Sequence, residues 1–289
     1  MNPQPIRGRN MQMASHISNV SFYLPFTYVM LARMGTPAKS LGLLLIYAVP
    51  TCYYFLLAGG FDWSLVPIYL LCITLIYTLY EMGYIQNDTE TIKREENPSI
   101  WLWPSNFEFY ETHKYSIYAT RLGLAAGLSV LFCLYWGTHV GTCLFLCMAW
   151  SIALIYQIYN RIRNRWNLLL FAMLQICRYL SYLFLFAPDV NGKIVLLSFV
   201  SFPLCYIVER TSHPRYHLKW VQQLIPSRER LTSFRVKYYA ALCLVCSVLL
   251  WQNILNLTDC VIPFYFLVYR SGILLYVKRF GKPRNYLVR

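Results

Sequence analysis

Apolar runs of about twenty residues, each with few charges, recur along this chain, at roughly 39–60, 64–86, 119–136, 139–159, 166–187, 193–209, 237–256 and 260–278. A bilayer's hydrocarbon core is about 30 Å thick and takes about 20 helical residues to cross. Inside lipid every backbone N–H and C=O must find a partner within the protein, so such runs become helices. Charged residues make up only 13% of the chain, about half the soluble norm. The expected fold is all-α: a polytopic transmembrane helical bundle of eight to nine spans around a central cavity. It forms a single membrane domain over 1–289, with an N-terminal segment 1–36, a bundle 37–280 and a basic tail 281–289.

The ninth candidate is ISNVSFYLPFTYVMLARMG, residues 17–35. As a span it would carry the basic N-terminus to the outer side, so a helix lying in the interface is the preferred reading. No cleavable leader is expected, because the opening MNPQPIRGRN is polar and basic. Most of the ten cysteines fall inside apolar runs, where they behave as small apolar side chains.

The net charge of +14 sits in alternate loops. FDWS, WGTHVG, APDVNGK and NLTD are short and poor in basic residues. The other connections hold Lys93, Arg94 and Lys114, then Arg161, Arg163 and Arg165, then Arg210, Arg215, Lys219, Arg228, Arg230 and Arg235, and the tail adds Lys278, Arg279, Lys282 and Arg284. The positive-inside rule puts that set and both termini in the cytoplasm. This distribution argues against a nucleic-acid partner, while an anionic substrate would favour the same loops.

The chain has only 12 acidic residues, yet Asp88, Glu90, Glu95 and Glu96 crowd the end of one apolar run, in YEMGYIQNDTETIKREENPS. On a regular helix Asp88 and Glu95 lie within about 20° of one face, while Glu90 points elsewhere unless the helix unwinds. Carboxylates at a helix end, with the Asn87 amide beside them, are hard oxygen ligands suited to Mg²⁺, which stays partly hydrated and takes phosphate oxygens into its shell. The competing reading is a solvated helix end in which Glu95 and Glu96 pair with Lys93 or Arg94.

The stretch GYIQNDTETIKREENPS resembles the first signature of the UbiA-type intramembrane prenyltransferase superfamily, an Asn-Asp-x-x-Asp-x-x-x-Asp run followed by Asn-Pro. Asn87 and Asp88 match, Glu95 takes the last acidic position, and Asn97-Pro98 follow. Thr91 stands where the middle Asp belongs, and Glu90 is one place early. The segment IYQIYNRIRNRWNLLL is similar to the family's aromatic-basic segment. The second acidic motif has no Asp pair, and LCYIVERTSHPRYHLKW offers Glu209 there. That pattern, with VIPFYFLVYRSGILLY at 261–276, is nearest to the branch that transfers phosphoribose to a polyprenyl phosphate. The resemblance spans roughly 35–280.

This resemblance implies a Mg²⁺-dependent transferase in a bacterial inner membrane. It would move 5-phosphoribose from phosphoribosyl diphosphate to a polyprenyl phosphate during cell-envelope polysaccharide synthesis. Asp88, Glu95 and Asn87 would be catalytic, and Asp88, Glu95 and Glu90 would ligate the metal. The expected partners are a diphosphate donor, a polyprenyl (phosphate) acceptor and membrane lipid, with a homo-oligomer left open. Prenyl transfer to an aromatic or other lipid acceptor is the alternative, and a non-catalytic transporter or scaffold with a decayed motif is the reading from another class.

Substrate contacts are expected from Lys93, Arg94, Tyr84, Tyr156, Tyr159, Arg161, Arg165, Arg178, Glu209 and Arg210. Guanidinium groups stay charged and bind phosphate bidentately. Arg178 and Arg270 lie deep within apolar spans, where a charge is costly and usually faces a cavity or a partner. His213 and His217 are read as loop residues because Pro214 interrupts them, and the sequon at Asn256 receives little weight because its loop is short.

Overall fold

The computed structural model describes residues 17–281, apart from 96, 97, 99, 163 and 226–229. Glu96, Asn97, Arg163, Arg228, Lys282 and Arg284 therefore lie outside the described residues, as does the side chain of Arg215. The described chain is predominantly helical, without strands, and eight of its helices are long and apolar enough to cross a membrane. They are α1 (Pro37–Ala58), α2 (Trp63–Arg94), α3 (Pro104–Trp136), α4 (Val140–Arg161), α5 (Trp166–Phe186), α6 (Gly192–Thr211), α7 (Leu231–Trp251) and α8 (Leu257–Phe280). The chain is thus an all-α polytopic membrane-spanning protein.

Local chemistry sets the helix ends. Pro104 occupies the first turn of α3, where its missing N–H costs nothing. Asn256 caps α8 in a reciprocal capping box with Asp259. That box engages the side chain of the sequon asparagine. Helix α3 begins well before the apolar run expected at 119, so much of the aromatic stretch anticipated as a loop is helical. Pro214–Tyr216 form a single tight 3-10 turn and His217 adopts a left-handed φ of 54°, so the two histidines do not share a helix face. All ten cysteines are free, and even Cys243 and Cys246, at Cys-x-x-Cys spacing, are buried within α7.

The chain divides into two compact units, one up to Asp189 and one from Val190 onward. In the first, α2 is the central element, packed against α3 and α4, while α4 also packs on α5. Its window is the most buried of all the spans. Close approach of α2 and α4 requires Gly83, since a Cβ there would lie 2.1 Å from the Tyr156 ring. Asn160 fastens the same contact by donating to the Gly83 carbonyl at 3.0 Å and to Gln86 Oε1 at 2.9 Å. In the second unit α7 and α8 form the main pair, with α6 packed beside them.

Residues 17–35 do not form one continuous helix. They form a 3-10 turn at Asn19–Phe22 and a π-helical turn at Val29–Met34, and Ile17, Phe22 and Tyr28 are buried in a cluster with Ile85, Leu102, Tyr110 and Ile117. The cause is a pair of charges inside the spans. Glu81 on α2 and Arg121 on α3 are both fully buried and meet at 3.1 Å. Their remaining hydrogen-bonding capacity reaches the N-terminal segment. Arg121 donates to the carbonyls of Phe22 (2.6 Å), Leu24 (3.0 Å) and Ser21 (3.3 Å), and Glu81 accepts the Val29 N–H at 2.7 Å. An irregular backbone at membrane depth is tolerated where protein satisfies it.

Candidate functional site

One face of α2 carries Tyr77, Tyr80, Tyr84 and Asp88 at helical spacing, and this face organises the first unit's polar interior. Asp88 is fully buried. Arg33 grips it with two parallel hydrogen bonds, Nε to Oδ2 at 2.7 Å and Nη2 to Oδ1. The Tyr28 hydroxyl donates to Oδ2 at 3.0 Å and the Asn87 amide to Oδ1 at 3.3 Å. The Arg33 guanidinium lies over the rings of Tyr84 (4.7 Å) and Trp101 (5.2 Å). Burial opposes its charge, but the Asp88 carboxylate together with Tyr84 and Tyr28 offsets burial and strengthens its hold on the proton.

The tyrosines continue as a column. Tyr84 packs edge-on to Tyr80 at 5.2 Å, and Tyr80 to Tyr156 of α4 at 4.8 Å. Tyr159 lies 5.8 Å from Tyr156. At the far end is Arg178 of α5, buried, with its guanidinium over Tyr47 (4.6 Å), Tyr80 (4.7 Å), Tyr77 (5.2 Å) and Tyr179 (5.3 Å). It donates to the Tyr77 hydroxyl, while its Nε is buried without an acceptor. No carboxylate among the described residues pairs with it. Cation–π contact supplies about 0.5–2 kcal/mol per ring and keeps the charge tolerable without neutralising it.

The anticipated metal set is not brought together. Asn87–Thr91 is a π-helical turn, Ile92–Arg94 a 3-10 turn, and Glu95 is extended at ψ 134°. The regular helix that would align Asp88 with Glu95 is therefore absent. Glu90 is taken by Lys93 (3.0 Å) and the Tyr110 hydroxyl (3.1 Å), and Lys93 also pairs with Glu111. Among the described residues no three His, Cys, Asp or Glu side chains gather as a metal-binding group. Asp88, Glu90 and Glu95 as placed do not fit a Mg²⁺ shell.

The remaining expected contacts separate. Tyr84, Tyr156, Tyr159 and Arg178 belong to the column. Arg94, Arg161 and Arg165 are exposed, the last beside an open groove of about 640 Å³ lined with Trp166, Leu168, Leu169 and Ala172. A second groove of about 510 Å³ lies by His139, Phe186 and Pro188. Neither groove is lined by Asp88 or Arg178. In the second unit Glu209 is held bidentately by Arg235 (2.5 and 2.7 Å), with Arg210 half-buried next to it in sequence. Arg270 is buried there, over the Tyr269 ring at 5.6 Å, with an Nε that finds no acceptor. Among the described residues, each unit thus holds a deep arginine that no carboxylate pairs with.

Sequence reasoning missed Arg33, Tyr28, Glu81, Arg121 and Arg235. Glu81 and Arg121 carried a usable signal, since each is a charge beside or within an apolar run. The spacing of Tyr77, Tyr80, Tyr84 and Asp88 was equally legible. Arg33 and Tyr28 carried none, because their segment has no regular periodicity. Comparison with protein-family models, curated proteins and solved structures finds no match for this chain.

Proposed function

We propose that this chain is a membrane-embedded transferase of the UbiA type, taking its group from an anionic diphosphate donor and passing it to a lipid acceptor. Arg178 carries the reading. A guanidinium buried in an apolar span without a carboxylate has a standing electrostatic demand, and a phosphate oxygen meets it with charge-assisted hydrogen bonds. The tyrosine hydroxyls along α2 add neutral donors for the same oxygens.

With 5-phosphoribosyl diphosphate as donor, the bond from C1 to the diphosphate oxygen breaks and pyrophosphate leaves with the electron pair. A phosphate oxygen of the acceptor then forms the new bond to C1. Fixed positive charge beside the departing pyrophosphate lowers the barrier, because that charge develops in the transition state. The basic loops support a cytoplasmic opening for this chemistry, and the resemblance to the family favours a bacterial inner membrane.

One observation favours a non-catalytic role: Arg33 and Tyr28 close off Asp88, the best match to the family signature. A transfer assay on purified protein decides between the readings. Labelled phosphoribosyl diphosphate with a polyprenyl phosphate forms one arm, and a labelled prenyl diphosphate with aromatic acceptors the other. Ribosylated lipid formed by the wild type and lost by at least tenfold in Arg178→Met and Arg178→Lys is the expected result. Prenyl transfer would move the chain to the other donor class. No product in either arm, with donor binding also absent, would leave the transporter or scaffold reading standing.

A further inference from the structure

We infer that Arg33 is the resident cation of the Asp88 site, holding by a protein side chain the place that a divalent metal would otherwise take. This concerns Asp88 whichever group is transferred, and it goes beyond the proposed function.

A carboxylate offers about four lone-pair directions. At Asp88 the Arg33 Nε and Nη2, the Tyr28 hydroxyl and the Asn87 amide take four contacts. A divalent ion entering here would have to displace the guanidinium or sit a few ångströms from it, like charge against like charge in a medium that screens poorly. It would also have to find further oxygen ligands, and Glu90 is already held by Lys93 and Tyr110.

The guanidinium has further supports beside Asp88. The Tyr84 and Trp101 rings flank it, and the Glu81–Arg121 pair fastens the segment that carries it. Both partners also sit in π-helical turns, Arg33 in Val29–Met34 and Asp88 in Asn87–Thr91. Such turns are rare and concentrate at functional sites. Here each presents one side chain to the other at the mouth of the tyrosine column. Asp88 is accordingly a positioning residue. It aims and holds a permanent positive charge, which stays on regardless of metal supply.

The test uses the full-length protein in detergent. Mn²⁺ binding is followed by electron paramagnetic resonance on wild type and Asp88→Asn, and thermal unfolding is compared in EDTA and in MgCl₂ at matched ionic strength. The expected result is equal Mn²⁺ binding by both proteins and a wild-type transition unmoved by Mg²⁺. One Mn²⁺ held by wild type and lost in Asp88→Asn, or a wild-type transition raised by Mg²⁺, would overturn the inference. The Mg²⁺ comparison needs no variant, so it stands even if Asp88→Asn does not fold. A cycle of Arg33→Met, Asp88→Asn and the double variant gives a second readout. The double variant should unfold at a higher temperature than Arg33→Met alone, because it removes the stranded carboxylate. Strictly additive losses would contradict direct pairing.

Discussion

Replacing Arg121 with methionine tests how the N-terminal segment is held. The guanidinium makes five hydrogen bonds, to Glu81, Thr78, Phe22, Leu24 and Ser21, at 2.6 to 3.3 Å, and none of its side chain is exposed. Methionine keeps much of the bulk and removes every donor. It strands the Glu81 carboxylate, which is itself fully buried and loses its one cationic partner among the described residues while keeping the Val29 N–H. Removing one partner of a buried ion pair costs about 3–5 kcal/mol. The orphaned carbonyls add roughly 1 kcal/mol each where water cannot reach them, but the segment can lift and rehydrate them. A total near 4 kcal/mol is therefore expected. At about 2–4 °C per kcal/mol for a chain of this size, the unfolding midpoint in detergent should fall by about 10 °C. Limited proteolysis should show new cleavage within residues 17–35, which wild type protects. Adding Glu81→Gln to Arg121→Met removes the stranded charge and should recover part of the loss. A midpoint within about 2 °C of wild type, with the segment still protected, would refute this account of its docking.

Gly83→Ala should cost about 1–3 kcal/mol, because its Cβ would meet the Tyr156 ring at 2.1 Å, and the same substitution should lower the melting temperature less in a Tyr156→Ala background, where that ring is gone. In the second unit, Arg235→Met should destabilise more than Arg235→Met with Glu209→Gln, since Glu209 has two charge-assisted bonds to lose, and thermal unfolding of the set checks the order. Asn256→Ala should cost about 1 kcal/mol by removing the α8 cap, again read as a lower melting temperature. Because Asn256 is engaged in that cap, protein expressed in a glycosylating host should show no mobility change on glycosidase treatment.

Much of the framework follows from short stretches of chain. The spans are legible because crossing a bilayer is a demand on local length and hydrophobicity, which any twenty-residue window displays. Their start points were less legible. The tract from Phe107 to Tyr118 mixes aromatic and charged residues, so composition reads it as loop, whereas packing on α2 makes it the first third of α3. The acidic cluster was legible as a place of interest, and so was Arg178 as an intramembrane charge.

Tertiary structure alone decided what those charges do. Seven residues separate Asp88 from Glu95 on the page, and a regular helix would have joined them, but a π-helical turn and an extended residue intervene. The partner Asp88 does take lies 55 positions away, and Glu81 and Arg121 are 40 apart. A buried charge selects whichever opposite charge the fold brings within hydrogen-bonding distance. That selection is made by desolvation and geometry acting across the whole bundle, to which sequence spacing has no access. The sequence therefore determined that this chain enters a membrane as helices and carries unusual charge there, and only the folded arrangement decided that Arg33 closes Asp88 while Arg178 meets no carboxylate among the described residues.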